Sequence, residues 1–334
     1  MTSLVTGATG LIGSHLVETL VVRGENVRAL VRPTSNTKRL RGLGVDIRVG
    51  NLNDNATLMS AAKGAERVYH CAGLVSDWGL PEAFQEANVQ GVRNMLAAAT
   101  RSNVSKFVYL SSSDIYGFPG RPVTEAERPA PRGYPYPDSK VEAETHVWNH
   151  YRRVGLPICI LRPATVYGPR SQLLVVDIIY ALRRRRMFLI DGGKYPAGLT
   201  YVGNLVDAMI LAADQDASSG HAYNVTDGNQ VTWKEYIDAL ADMSEYPHPT
   251  RNLPQDRAFL VASFWENVYR ILGRTQRPPM TRLMVEWMST NQDLIIDQAR
   301  RELNYRPRVS FREAINHIGI WWRQQGETVQ GEEA

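Results

Sequence analysis

An apolar run, Ser3-Leu4-Val5-Thr6, leads without a break into Gly7-Ala8-Thr9-Gly10-Leu11-Ile12-Gly13 and then into the helix-like Ser14-His15-Leu16. Few features limit a fold as sharply. Glycine lets a backbone turn this tightly and come close to a pyrophosphate, and the helix N-terminus that follows offers unpaired N–H groups to the anion. The spacing is Gly-x-x-Gly-x-x-Gly, not the commoner Gly-x-Gly-x-x-Gly, but strand before and helix after supply the context a dinucleotide fingerprint needs. Gly7, Thr9, Gly10, Leu11, Ile12 and Gly13 are therefore candidate cofactor contacts.

The opening unit is then repeated. Short β-branched runs near 3–6, 26–31, 45–49, 66–70, 105–110 and 157–162 alternate with longer amphipathic ones. That rhythm predicts an α/β fold, a Rossmann-type doubly wound parallel sheet covered on both faces. Right-handed crossovers put the strand C-termini, and with them a ligand, along one edge. Asn51 and Leu52 follow the third strand, and Cys71, Ala72 and Gly73 follow the fourth, placed to touch adenine and ribose. The second strand ends in Arg32, with Lys38 and Arg39 close behind and no Asp or Glu. A carboxylate there would hold a free ribose 2′-hydroxyl, whereas a cation accommodates a 2′-phosphate. NADP(H) is favoured, with Arg32 as the phosphate ligand; NAD(H) is the alternative, with Arg32 a solvated surface residue. Asn88, in a helical stretch from about 81 to 101, is expected to hydrogen-bond backbone inside the fold.

After Pro169 the rhythm loosens, with helix-like segments at 171–185, 203–214, 232–243, 256–273 and 310–324. The expected organisation is a dinucleotide-binding domain at 1–168, a smaller, mostly helical substrate-binding region at 169–324 with some segments returning to the sheet, and a polar, disordered tail at 325–334. Trp233, Phe264, Trp265 and Trp287 read as packing residues before ligand contacts. Cys71 and Cys159 lie in apolar stretches, so neither a disulfide framework nor a metal cluster is suggested. No apolar run reaches the ~18 residues that span a bilayer. No leader precedes the first strand, so a cytoplasmic protein without stable membrane insertion is expected. The net charge is +4, and the arginine run at 183–186 closes a helix-like segment, where cations suit the helix dipole. A solvated helix end is the first reading of that run; contact with an anionic substrate or a membrane surface is the second. No nucleic-acid-binding module is visible.

The strand at 105–110 ends in Ser111-Ser112-Ser113-Asp114-Ile115-Tyr116-Gly117. A hydroxyl at a strand C-terminus projects into the cofactor crevice, where it can hold a substrate oxygen. Farther on, Tyr136 and Lys140 stand four residues apart in YPYPDSKVEAE and share a helix face. An ammonium near the phenol favours phenolate, drawing a pKa that starts near ~10 toward the range of an acid/base catalyst.

Taken in order, TGATGLIGSHL, YLSSSDIYG, YPYPDSK, LRPATVYGP, TYVGNLVDA and ARRELNYRPRVSFREAI resemble the extended short-chain dehydrogenase/reductase superfamily over most of the chain. The resemblance is to its NAD-dependent epimerase/dehydratase and 3β-hydroxysteroid dehydrogenase-like branch. It implies that Ser112, four residues before Tyr116, is the active hydroxyl, with Ser113 as a neighbour that assists. It implies that Tyr136 is the catalytic acid/base, that Lys140 holds the nicotinamide ribose and tunes Tyr136, and that Pro163 and Val166 flank the nicotinamide. A homodimer built on two helices per subunit, one bearing Tyr136, is implied as well.

Such proteins either stop after one hydride transfer or oxidise a sugar nucleotide transiently and then epimerise or dehydrate it. Sugar-nucleotide members carry Asn and Arg where this chain has Thr165 and Ala197. LRPATVYGP, TYVGNLVDA and STNQDLIIDQARRELNYRP look more like 3β-hydroxysteroid and sterol-carboxylate dehydrogenases. Thr165-Val166-Tyr167-Gly168-Pro169 is also similar to the turn of uronate-sugar 4-epimerases, and Arg170 or the arginine run could supply the missing cation. The leading expectation is an NAD(P)-dependent oxidoreductase that interconverts a secondary alcohol and a ketone, a small-molecule substrate, by Ser/Tyr/Lys catalysis without a metal. The alternative is a nucleotide-sugar 4-epimerase or dehydratase; a non-catalytic cofactor-binding regulator comes third.

Overall fold

Alternation along the strands decides the layering. Val5, Ala29, Tyr69, Val108 and Cys159 pack on one face of the central sheet, against the helices Leu11–Val22 and Val202–Asp214. Their neighbours Leu4, Leu30, Val68, Phe107 and Ile158 pack on the other, against Asn55–Ala62, Gly91–Arg101 and Pro135–Val154. Successive side chains of a strand point to opposite faces, so a sheet covered twice needs strands that are apolar throughout. The protein's computed structural model describes residues 1–332, with side chains to residue 325.

The strands are β1 (Thr2–Thr6), β2 (Asn26–Val31), β3 (Asp46–Val49), β4 (Arg67–His70), β5 (Lys106–Leu110), β6 (Ile158–Pro163), β7 (Thr165–Tyr167), β8 (Phe188–Ile190), β9 (Leu199–Tyr201), β10 (His221–Val225) and β11 (Arg251–Leu253). Seven of them form one sheet in the order β10-β6-β5-β4-β1-β2-β3, and every pairing in it is parallel. The strand order reverses at β1, which lies between β2 and β4. That is the switch point at which a doubly wound sheet opens a crevice. Thr6 closes the floor: its Oγ1 meets His70 Nδ1 at 3.0 Å and accepts from the Ala72 N–H at 3.2 Å.

The six strands expected from the sequence fall within one residue of β1 to β6 at either end. The seventh, β10, comes from the second half and pairs with β6. The helix expected at about 81–101 is present, running without interruption through Pro81–Phe84, a π-helical turn Gln85–Gln90 and Gly91–Arg101. Beyond β6, a separate core of Tyr167, Ile179, Trp233, Tyr236 and Val285 gathers the helices Asp177–Arg183, Trp233–Ser244, Gln255–Ile271 and Arg282–Ser289 with the pairs β7–β9 and β8–β11. Arg282–Ser289 and Asp297–Glu302 are helices the sequence reading did not single out. The last helix, Phe311–Glu332, carries the backbone past residue 325, where a tail was expected to begin; no proline interrupts it, and Gln and Glu propagate a helix readily. The remainder of that expected tail, 333 and 334, lies outside the described residues. Among the described residues no helix is long and apolar enough to cross a membrane, and no cluster of three metal-ligating side chains occurs.

A buried polar network joins the two halves beneath the end of β5. Arg162 Nε donates to both Glu144 carboxylate oxygens at 3.2 Å, and Ser111 Oγ donates to the same group at 2.6 Å. Arg162 also donates to Tyr116 Oη at 2.8 Å, which passes its own proton to Asn224 Oδ1 on β10 at 2.7 Å. Satisfied on this many sides, the pair avoids the cost of a lone buried charge and fixes the segment on which Ser112 rides.

Candidate active site

The glycine turn fits tightly against its surroundings. Gly7 has φ +67°, and a Cβ there would lie 2.8 Å from the backbone nitrogen of Ala72. At Gly13 a Cβ would lie 2.2 Å from the Gly7 carbonyl oxygen. Neither position admits a side chain, which is the condition for the helix to begin this close to the end of β1. That helix, Leu11–Val22, starts at Gly10 with no side-chain cap and no acidic residue in its first turn. Its first N–H groups are left for an anion.

In front of the turn is a cleft of about 850 Å³. Gly7, Thr9, Gly10, Arg32, Asn51, Leu52, Cys71, Ala72 and Gly73 line it, so nine of the expected cofactor contacts are brought together. Leu11, Ile12 and Gly13 stand behind the turn, and Tyr136, Lys140, Pro163 and Val166 are not part of this lining. Ser35, Asn53, Val75 and Glu86 are, although the sequence did not single them out. Arg32 is exposed at the rim and makes no ion pair among the described residues, whereas Arg39 is paired with Glu18 at 2.8 Å. A cleft of this volume with a glycine cradle, an uncapped helix and an unpaired cation fits a dinucleotide.

Ser112, Tyr136 and Lys140 converge beyond the end of β5. Ser112 caps the short 3₁₀ turn Ser113–Tyr116, accepting from the Asp114 N–H at 3.2 Å, and its side chain acts on the Tyr136 phenol. Ser113, half-buried, opens that turn. Tyr136 is buried in a small apolar cluster with Phe84, Phe118 and Leu283, against which Leu74, Tyr134 and Trp287 pack. Burial, and then the charge of Asp114, push its phenol above the usual tyrosine range, while the Ser112 side chain works the other way. Lys140 is held lower, at about 8, because burial disfavours its charge. Its ammonium donates to the Leu110 carbonyl at 2.9 Å and lies 5.3 Å from the centre of the Tyr109 ring. The expected lowering of the Tyr136 pKa by Lys140 is absent from this arrangement: burial of the phenol dominates, and the lysine serves the end of β5.

Asn88 behaves as expected, bonding backbone, but it also reaches the helix that bears Tyr136. Its side chain accepts from the Leu74 N–H at 2.7 Å and donates to Ser139 Oγ at 2.9 Å, and Ser139 donates to the Tyr136 carbonyl at 2.7 Å. A π-helical turn at Gln85–Gln90 swings Asn88 into that position. Of the aromatic residues, Phe118 joins the Tyr136 cluster and Trp78 stands edge-on to Tyr269, but Tyr167 is buried in the second core with Tyr201 and Tyr236. Two residues escaped the sequence reading. Asp114 Oδ2 accepts from Trp287 Nε1 at 3.2 Å, and burial pushes its carboxyl up to about 7. Asp77, in the loop after β4, is clasped by Arg277 through two 2.6 Å bonds and by Thr281 at 2.6 Å. Arg170, a candidate for binding a diphosphate, is engaged elsewhere: it grips both carboxylate oxygens of Glu18 at 2.8 and 3.0 Å. The arginines at 183–186 are exposed, as a solvated helix end requires.

Comparison with known proteins agrees with this geometry. Residues 3–226 match the model of the NAD dependent epimerase/dehydratase family. A 4-hydroxy-2-methyl-3-oxo-4-farnesyl-3,4-dihydroquinoline-1-oxide ketoreductase of Stigmatella aurantiaca is 30% identical over 99% of this chain and 98% of its own. A 2-alkyl-3-oxoalkanoate reductase of Stenotrophomonas maltophilia is 28% identical over 95% of this chain and 98% of its own. The crystal structure of a UDP-glucose 4-epimerase from Thermotoga maritima superposes with a TM-score of 0.77 over 97% of this chain and 99% of that one, at 22% identity, a likeness of fold.

Proposed function

The chain belongs to the NAD dependent epimerase/dehydratase family, of the extended short-chain dehydrogenase/reductase type, and from that premise we propose that it reduces a ketone to a secondary alcohol, reversibly, on a largely apolar small molecule with NADP(H). The observation that carries this reading is the setting of Tyr136: a buried phenol on which the Ser112 side chain acts, walled by Phe84, Phe118 and Leu283. A nicotinamide, when bound, supplies the hydride. Ser112 would hold the substrate oxygen, and Tyr136 would exchange a proton with it. In the reduction direction the protonated Tyr136 phenol would donate its proton to the forming alkoxide. Lys140 anchors the strand end and contributes positive charge to the site. Arg32 is assigned the 2′-phosphate, because it is the cleft's unpaired cation. The two relatives named as a ketoreductase and an oxoalkanoate reductase support the reaction class. We assign the protein to the cytoplasm, as a homodimer joined through the helix that bears Tyr136.

The rival, a nucleotide-sugar epimerase or dehydratase, needs a cation for a diphosphate, and Arg170 is held by Glu18. The discriminating experiment supplies NADPH and a panel of apolar ketones. One alcohol is expected per NADPH consumed, and Tyr136→Phe should cut turnover by roughly 10²–10⁴ while leaving NADPH affinity nearly intact. Interconversion of a nucleotide sugar with no net loss of NADPH would sink the reading.

A further inference from the structure

The helix Gln255–Ile271 is apolar on the side it does not bury. Ala258, Ala262 and Glu266 face inward, where Glu266 accepts from the Arg282 backbone N–H at 2.7 Å and from its Nε at 2.8 Å. Away from them stand Leu260, Val261, Phe264, Ile271 and, just past the last turn, Leu272, all exposed, with half-buried Val268 between. Spacings of three and four residues set these side chains on one face. Leu260 is 71% exposed, Phe264 61% and Ile271 85%. A lone exposed leucine is ordinary on a protein surface; a succession of them, on a helix already packed by its other side, is not.

Cations bracket this face. Arg257 opens it in the first turn and Arg274 follows it, both exposed and without an ion pair among the described residues. Of the carboxylates between 255 and 274, Glu266 is buried against Arg282 and Arg270, which leaves Asp256 exposed. The helix leaves β11, and Arg251 at the start of β11 pairs in register with Phe188, two residues beyond the arginine run at 183–186. Those exposed arginines therefore lead into the strand pair from which the apolar helix departs. On its inner side the helix packs on Arg282–Ser289, whose Leu283 and Trp287 belong to the cluster around Tyr136.

We propose that this face docks the protein reversibly on an anionic lipid bilayer, with Leu260, Phe264 and Ile271 among the upper acyl chains and the flanking arginines on the headgroups. A helix lying in the interface binds through its buried apolar area and the attraction of its cations for anionic lipid, and it needs no spanning segment. A second copy of the chain is a poorer occupant. A two-fold contact through this face would set arginines near arginines, with Asp256 as the exposed carboxylate of the segment to answer them. Docking goes beyond the reaction proposed above and does not depend on it; the two meet because a largely apolar ketone concentrates in the same lipid.

Flotation of the full chain with unilamellar vesicles tests the proposal, using phosphatidylcholine with about 30% phosphatidylglycerol against phosphatidylcholine alone. Wild type should bind the anionic vesicles about tenfold or more tightly than the neutral ones, and salt at about 0.5 M should remove most of the difference. Phe264→Ser combined with Ile271→Ser should weaken binding to anionic vesicles by about tenfold or more, and Arg257→Gln combined with Arg274→Gln should weaken it toward the neutral level. Val22→Ser, at an exposed valine on the helix Leu11–Val22, should change nothing, which separates this face from general stickiness. Wild type left unbound, or binding unchanged by either double substitution, overturns the proposal. Self-association that rises with protein concentration and is abolished by Phe264→Ser with Ile271→Ser, in a wild type that ignores lipid, overturns it too and gives the face to a second copy. Vesicle binding is read without turnover, so failure of docking and failure of ketone reduction are told apart.

Discussion

Lys140 donates to the carbonyl oxygen of Leu110 at 2.9 Å, and this bond, more than the spacing to Tyr136, fixes where the lysine's charge sits. The ammonium closes the end of β5 from the helix that bears Tyr136. Burial holds it at about 8, so it loses its proton within the working range of an enzyme assay.

Activity should respond. The kcat/KM for ketone reduction by wild type should fall as pH rises through about 8, because a neutral amine no longer offsets developing negative charge. Lys140→Met should be slower by roughly 10²-fold and lack that limb. A pH–rate profile of the two proteins checks this, and a limb near 8 surviving in the variant would assign it to another group.

Arg32 should decide between the two nicotinamides. Arg32→Ser is expected to weaken NADPH binding by roughly 10- to 100-fold and to change NADH binding little, since NADH lacks the 2′-phosphate that the proposed reading gives to this guanidinium. Isothermal titration with both cofactors measures it; equal losses would point to a general electrostatic role.

The pair between Glu18 and Arg170 is structural in this account. Arg170→Met should lower the free energy of unfolding by about 1–3 kcal/mol, from the loss of charge-assisted hydrogen bonds to a half-buried carboxylate. Urea unfolding gives the value. UDP-sugars should bind no better to wild type than to the variant.

Asp114 should appear in the pH dependence of stability. Its folded-state value is about 7, against ~4 for an unfolded aspartate. Between those limits the folded protein binds more protons than the unfolded one, so this group's contribution to stability is full below about pH 4 and is lost as pH rises through about 7. Asp114→Asn should therefore gain on wild type as pH increases from 5 to 8 in thermal unfolding. A constant difference across that range would mean that the carboxyl does not titrate with folding.

What the sequence made legible, and what it did not, follows from the range of the interactions. β5 and β6 could be read because a strand buried on both faces is largely apolar, a local property, whereas β3, mostly exposed at the edge of the sheet, was legible from its place in the strand–helix rhythm. The glycine turn is local too. Asp114 stands in plain view in SSSD, but its significance depends on Trp287, 173 residues away, which only packing brings near. The Tyr136–Lys140 spacing gave the shared helix face correctly, yet the strongest partner of Lys140 is a strand carbonyl that no helical periodicity reports. Arg170 looked available because Glu18, 152 residues earlier, could not be seen as its partner. The π-helical turn inside the 81–101 helix left no mark in the apolar pattern, and with it went the link from Asn88 through Ser139 to Tyr136.

The contact of Gly13 with Gly7 limits how this chain can change over generations. The atoms a new side chain would strike belong to the main chain, at Gly7 and Ala72, so no neighbouring residue can shrink to make room. A harmful substitution in the turn has no compensating partner elsewhere. A position such as 32 carries no such restraint, and a single codon change there leaves the backbone untouched. A lineage descended from this protein would thus acquire new cofactor preference at that side chain while inheriting the cradle unaltered.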